Sequence, residues 1–562
     1  MQINLLYPWF RIDRLNGFIA LSIILFSILT AIYSFRFMRG KPQLIQYYSC
    51  ILLTALASLF AVLSNNLILL VIFWGFLGLT LYLLINLGQK GCDLAAKKTL
   101  VIVGGSDILM LLGIAIIYFL TGTFQMDKIS ISLSLSYNIV ANLAYLCLAI
   151  ACFAKAGAMP FHSWIPDCSE FAPIPVVAYL PASLDKLLGI YLLARISLDL
   201  FVMNTAMNIF LMAIGAFTII AAVMMALVQH NLKRLLGYHA VSQVGYMVLG
   251  IGTGNPIGIA GGIFHMLNNS IYKQALFLTG GNIEYKTGTS DLDKLGGLTK
   301  AMPVTYISFL IASLAISGVP PFNGFVSKWM IYQGLIKAYQ VSNITSTSLW
   351  SIIYQVFILL ALVGAMFGSG LTLASFMKLL HAAFLGERRE TDSQDYKEVN
   401  WQMWLPPAFL AILCLVLGIF AYEIPLRLFI LPSVKGVEFL GFWSPSWTTL
   451  LIFVGLLIGL IIYWLGSLKS RARYDSYFVG GEIMPIDSRV TGTQFYNTVM
   501  DFKLIKFIYE KAKQKTFDIY EQSKNLVFSI DKFLQYLHNG ILPTYLVWIL
   551  LGTIGLFLIL IR

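Results

Sequence analysis

The chain has 562 residues, of which 58% are hydrophobic and only 11% charged, with a formal net charge of +12. A soluble globular domain carries about 25% charged residues, so this composition excludes a soluble fold and indicates a polytopic membrane protein. In such a chain the positive balance reads as basic loops on one membrane face, not as a nucleic-acid surface. Continuous apolar runs of about 20 residues read as spanning helices, whereas barrel strands would alternate over about 10. The expected class is therefore an all-α polytopic membrane protein.

Met1–Asn16 carries Arg11, Asp13 and Arg14. The run that follows, Gly17–Phe37, has full spanning length and no small-residue cleavage site, so no cleavable signal is expected. Apolar segments lie near 16–37, 43–63, 66–87, 99–121, 137–159, 174–197, 206–229, 235–253, 257–281, 303–319, 324–340, 350–385, 403–421, 424–441, 447–466 and 542–561. They predict about 14–16 spans, with 350–385 as one long helix and 424–441 as a weak segment. The connections are short. The most acidic, Gly386–Asn400, holds Glu387, Glu390, Asp392, Asp395 and Glu398.

From Lys469 to Asn539 the chain turns polar. Tyr474–Thr493 is loop-like, with Gly480–Gly481, Pro485 and Gly492. Val499–His538 is then periodic: Phe502, Ile505, Ile508, Ala512, Ile519, Leu526, Ile530, Phe533 and Leu537 fall at three-, four- and seven-residue steps. About 40 residues give an amphipathic helix of roughly 60 Å. It is too polar to span and is expected along lipid at a membrane face or against neighbouring subunits, with a soluble helical hairpin as the alternative. Pro543 leads into a final span, Tyr545–Ile561.

Four lysines, Lys155, Lys186, Lys273 and Lys328, sit inside apolar stretches. A lysine at the bilayer centre costs roughly 2.5–3.5 kcal/mol on insertion scales. Four of them beside helix-breaking prolines point to a buried polar route for ions. Lys155 precedes Pro160 by five residues, and Gly157 and Pro160 weaken the helix between them. Lys328 follows Pro320, Pro321 and Gly324. Such breaks free backbone carbonyls at membrane depth, where protein or water must satisfy them. Interrupted helices in two halves of a chain mark a transport site between inverted repeats; two unrelated kinks are the alternative. The six cysteines (Cys50, Cys92, Cys147, Cys152, Cys168, Cys414) are scattered without a Cys-x-x-Cys, which argues against an iron–sulfur or zinc site in this chain.

Four ordered blocks carry a family resemblance. Lys155-Ala-Gly-Ala-Met-Pro-Phe-His162-Ser-Trp-Ile-Pro-Asp167 with Ala172-Pro-Ile-Pro-Val-Val-Ala178 is the first. Leu232-Lys-Arg-Leu-Leu-Gly-Tyr-His239-Ala-Val-Ser-Gln-Val-Gly-Tyr246, Tyr272-Lys273-Gln-Ala-Leu-Phe-Leu278 and Gly318-Val-Pro-Pro-Phe-Asn-Gly-Phe-Val-Ser-Lys328 follow. They resemble the antiporter-like subunits of respiratory complex I, membrane-bound [NiFe]-hydrogenases and multisubunit cation/proton antiporters. The resemblance implies a mid-membrane proton path through Lys155, Lys186, Lys273 and Lys328. A lysine taken out of water in a bundle core can release and regain a proton, and a row of coupled groups passes charge changes laterally.

The chain departs from the family twice. The glutamate that usually follows tryptophan is Gly75 in Phe73-Trp74-Gly75, and Asp107 is expected to replace it as partner of Lys155; a capping or interfacial aspartate is the alternative. Two apolar spans precede Trp74 where the family commonly has four. His265 and His239 are further candidates for the path, Lys378 extends it toward an exit, and Asp185 balances charge beside Lys186. His162 is expected in a packing or loop role. His230, His381 and His538 are expected at interfaces.

The resemblance divides the chain into N-terminal spans (1–98), an antiporter-like core (99–385), C-terminal spans (386–466), a polar linker with the lateral helix (467–541) and a terminal anchor (542–562). Tyr474-Asp-Ser-Tyr-Phe-Val-Gly-Gly-Glu482, Gly492-Thr-Gln-Phe-Tyr496 and Pro181 are similar to the hydrogenase type. The first expectation is thus a proton- or sodium-translocating subunit of a ferredoxin-linked hydrogenase in a prokaryotic cytoplasmic membrane. Iron–sulfur clusters and a nickel–iron site would sit on partner membrane and peripheral subunits, with no metal, cofactor or redox step in this chain. A complex I or cation/proton antiporter subunit, a component of inorganic-carbon uptake, and an inert scaffold are the alternatives. A scaffold gives no reason for four buried lysines.

Overall fold

The computed structural model describes residues 9–134, 139–345, 349–386, 396–441, 444–467 and 492–561. Glu387, Glu390, Asp392, Asp395 and the Tyr474–Glu482 stretch lie outside the described residues. The chain forms two compact units, Met1–Thr498 and Val499–Arg562.

The first unit begins with α1 (Arg14–Phe37), α2 (Leu44–Leu63), α3 (Leu67–Ile85), α4 (Cys92–Thr121), α5 (Ile139–Ala156), α6 (Trp164–Phe171), α7 (Ile174–Tyr179), α8 (Asp185–Arg195) and α9 (Thr205–Leu227). It continues with α10 (Leu232–Gly252), α11 (Pro256–Thr287), α12 (Pro303–Ser317), α13 (Asn323–Thr345), α14 (Leu349–Leu380), α15 (Trp401–Ile419) and α16 (Pro445–Ser467). Among the described residues the one sheet is a two-residue parallel pairing of Ile131–Ser132 with Phe201–Val202. The protein is an all-α polytopic membrane protein, and 11 described helical segments are long and apolar enough to cross a bilayer.

That number is lower than the sequence expectation for physical reasons. α10, α11 and α13 are long but carry internal charges and amides, such as Lys233, Arg234, Lys273, Asn282, Lys328 and Lys337. α11 is the central post: it packs on α1, α7, α8, α10, α12, α13 and α15, and every residue from Ile257 to Ile283 is buried. The weak 424–441 segment is not a span. It is a π-helical turn over Tyr422–Ile430 with Pro425 inside, followed by irregular turns. The 350–385 run is continuous, α14 passing into a π-turn at His381–Leu385. Side-chain caps set several starts: Asp13 accepts from Leu15 and Asn16, and Asn66, Asn204, Asn231 and Asn255 cap α3, α9, α10 and α11.

The second unit contains α17 (Lys503–Lys513), α18 (Ile519–Leu537) and α19 (Leu542–Leu560). The expected single amphipathic helix is two helices. Lys515 turns left-handed (φ 57°), and Asp518 accepts from the Tyr520 amide at 3.0 Å, starting α18 afresh. Pro543 sits in the first turn of α19, the final apolar helix.

Candidate functional site: a buried lysine row

Both interrupted helices are present. α5 stops at Ala156 and α6 resumes at Trp164; α12 stops at Ser317 and α13 resumes at Asn323. Each break opens on a left-handed glycine, Gly157 (φ 84°) and Gly318 (φ 79°), a conformation glycine adopts without steric cost. A Cβ on Gly157 would lie 1.9 Å from Ile165 Cδ1. A Cβ on Gly318 would stand 3.0 Å from Lys328 Cδ, so this glycine also leaves room for the lysine.

Specific donors meet the freed carbonyls. Trp164 Nε1 donates to Ala154 O at 3.0 Å. Lys328 Nζ donates to Ile316 O at 2.8 Å and to Ser369 Oγ at 2.9 Å, and Ser369 in turn donates to Ser317 O at 2.8 Å. At the first break the lysine stands before the proline, and at the second after the prolines.

Lys155 and Asp185 form a fully buried ion pair, with Nζ 3.4 Å from Oδ1 and neither side chain exposed. Asp185 follows a π-helical turn, Leu180–Leu184, that contains Pro181. Proline supplies no N–H to the helical ladder. The turn widens so that the Asp185 amide reaches Leu180 O, and Ser183 Oγ takes up Ala178 O at 2.9 Å. The next residue, Lys186, points elsewhere: its Nζ stands 5.9 Å from the Trp164 ring and has no hydrogen-bond partner among the described residues.

The row continues into the second half. Lys273 Nζ donates to Leu236 O at 2.9 Å and is in electrostatic reach of Lys186. His239 joins Ser375 at 2.7 Å and is in electrostatic reach of Lys273, Lys328 and Lys378. His265 sits in a buried network: Nδ1 meets Ser327 Oγ at 2.9 Å and Nε2 meets Gln243 Oε1 at 3.1 Å, with Tyr272 OH 3.3 Å from Nε2. Lys378 donates to Leu227 O and Gln229 O at 2.7 and 2.9 Å, near the helix ends where His230 pairs with Asp293 at 2.8 Å. His162 lies in the turn between α5 and α6, and His381 in the π-turn after α14. His538 follows α18 and meets Tyr545 OH at 3.2 Å.

Asp107 lies apart from the pair. It interacts electrostatically with Lys155 and with the Trp74 side chain, and Gly78 stands beside it. Trp74 is buried, its ring 5.6 Å from Lys155 Nζ. Gly75, one residue on, has no atom within 4 Å of a built Cβ, so a carboxylate there would face outward rather than toward Lys155. The counter-ion in contact with Lys155 is therefore Asp185, with Asp107 at longer range.

Sequence reasoning places Asp185 as a charge balance beside Lys186; adjacent helical residues diverge by about 100°, and that divergence lets Asp185 face Lys155 while Lys186 faces Trp164. It also passed over Gln243, Tyr272, Ser327, Ser369 and Ser375. Their signal was polar side chains recurring inside apolar runs.

The family model described as "NADH:quinone oxidoreductase/Mrp antiporter, TM" matches residues 64–354. The chain is similar to the Na(+)/H(+) antiporter subunit A1 of Staphylococcus epidermidis, 33% identical over 409 residues, covering 70% of this chain and 50% of that relative. It thus spans about half the length of the curated relative it matches. Its fold is similar to a chain of the archaeal membrane-bound sulfane sulfur reductase (TM-score 0.78, 22% identity, 98% of this chain and 89% of that one). A second likeness is to the Mrp complex of Dietzia sp. (TM-score 0.68, 23% identity, 77% and 86%). At these identities the likeness is one of fold.

Proposed function

Because the chain belongs to the family described as NADH:quinone oxidoreductase/Mrp antiporter, TM, we propose that it moves protons through its lysine row as a membrane subunit of a multisubunit cation/proton antiporter. The observation that carries this reading is the row itself. Lys155, Lys186 and Lys273 are fully buried and Lys328 is 2% exposed, two of the four adjoin broken helices, and each is electrostatically linked to a neighbouring ionisable or polar group. Burying a lysine without a task is costly.

A proton arriving at Lys155 weakens the claim of Asp185 on other charge, and Lys186, covalently next to Asp185, responds. Lys273 feels Lys186, and His239 feels both Lys273 and Lys328. Lys378 stands toward one membrane face, where Gln229 and His230 connect α9 to α10. Each group needs only to change protonation in response to the last.

The antiporter reading replaces the hydrogenase one as first choice. A relative 33% identical over 409 residues is an Na(+)/H(+) antiporter subunit, and the hydrogenase-like Tyr474–Glu482 lies outside the described residues. Other membrane subunits, and lipid along α17 and α18, are the expected partners.

The test is the intact complex, purified and reconstituted in liposomes with an internal pH dye. Sodium added outside should dissipate an imposed pH gradient. A complex that carries redox centres and shows no sodium-linked proton flux would return the reading to the redox-driven class.

A further inference from the structure

A second line of buried polar groups leaves α11 and follows α1. Ser27, Thr30 and Ser34 are spaced three and four residues apart and share one face of α1. Each meets a different neighbour. Tyr47 of α2 bonds Ser34 Oγ at 2.5 Å, and Ser34 donates to Thr30 O at 2.6 Å. Gln274 of α11 donates through Nε2 to Thr30 Oγ1 at 2.8 Å. Ser27 Oγ meets Tyr179 OH at 2.7 Å.

The line touches α11, which carries Lys273, and α7, which leads into α8 with Lys186. Gln274 directly follows Lys273, and Tyr179 ends α7 just before the π-turn that leads to Asp185 and Lys186. Its other end approaches a membrane face. Tyr47 lies in the first turn of α2, and Lys41, just before α2, is in electrostatic reach of Glu284 near the end of α11. Glu284 in turn pairs with Lys233 at 2.9 Å.

Helix packing explains hydroxyls bonded back to their own helix. It does not explain Gln274, which is fully buried with its Oε1 lacking any hydrogen-bond partner among the described residues. An unpaired buried amide oxygen costs about 1–3 kcal/mol, a cost that a bridging water would offset. We propose that this α1–α2–α7–α11 seam is a hydrated proton-conducting branch joining the Lys41–Glu284 face to the lysine row. It rests on the reading of that row as a proton path. Along the branch the Tyr47–Ser34 and Ser27–Tyr179 hydroxyl pairs exchange protons directly, and water links these pairs to Thr30, each oxygen accepting a proton from one side and releasing its own to the next. Gln274 orders water through Oε1 and carries no proton itself, and only O–H bonds form and break.

The test uses the assembled complex in proteoliposomes with Tyr47→Phe, Thr30→Val and Gln274→Leu, and Lys186→Ala alongside. The first two remove a hydroxyl at nearly constant volume. Proton flux should fall several-fold in all three at unchanged assembly, and Gln274→Glu should recover part of it. Wild-type flux in the three variants with Lys186→Ala inactive overturns the branch alone. Loss of flux matched by equal loss of assembled complex assigns the seam to packing and also overturns it. Wild-type flux in Lys186→Ala removes the lysine-row reading on which the branch rests.

Discussion

Replacing Asp185 by Asn strands the Lys155 ammonium in the bundle core. At 3.4 Å and an effective dielectric constant of about 20, the lost attraction is about 5 kcal/mol. Breaking a buried pair by removing one partner costs about 3–5 kcal/mol, because the remaining charge is left uncompensated. If about 3 kcal/mol of this appears at the step that moves charge past Lys155, proton flux falls roughly 100-fold. Asp185→Glu keeps a carboxylate and should retain part of the flux. Asp107→Asn, which removes only the longer-range interaction, should reduce flux far less. Flux is read as the initial rate of dye quenching in proteoliposomes, normalised to assembled complex. Near-wild-type flux in Asp185→Asn together with an inactive Asp107→Asn would refute the assignment of Lys155's partner.

Other outcomes follow from the same geometry. Ser369→Ala removes one of the two bonds to Lys328 Nζ and the donor to Ser317 O; it should slow flux several-fold and lower thermal stability by about 1 kcal/mol, measured by fluorescence-monitored unfolding. Gly157→Ala forces a left-handed alanine, at about 1–2 kcal/mol, and drives its Cβ into Ile165; a lowered unfolding temperature and poor assembly are expected. Asp13, the cap of α1, is pushed up by burial, the largest single effect, but Arg195, the Asn16 amide and Arg11 together bring it down to about 2. Its folded-state value is depressed. Its contribution of about 2 kcal/mol is therefore complete above the unfolded value near pH 4 and lost as pH falls toward 2. Asp13→Asn should lower the unfolding temperature equally from pH 6 to 8.

The row and the breaks were legible because a lysine or a Pro-Pro pair inside an apolar run has few readings. The pairing was not. A 3.6-residue period separates Asp185 from Lys186 by angle, but the neighbour each meets depends on the π-turn that Pro181 imposes. The α17–α18 break escaped for the opposite reason. Its apolar steps continue across Phe517, and only Asp518, a residue suited to a cap, marks the restart. The number of spans was blurred because α10, α11 and α13 are buried among protein and tolerate charges and amides that a lipid-facing helix would not.

Lys186 offers the most direct test of the proposed function. Its ammonium has no hydrogen-bond partner among the described residues, and its loss leaves the Lys155–Asp185 pair intact, so Lys186→Ala should assemble normally. Proton flux through the reconstituted complex is the measurement. Loss of flux at full assembly is the predicted result; flux equal to wild type would contradict a proton path through the row.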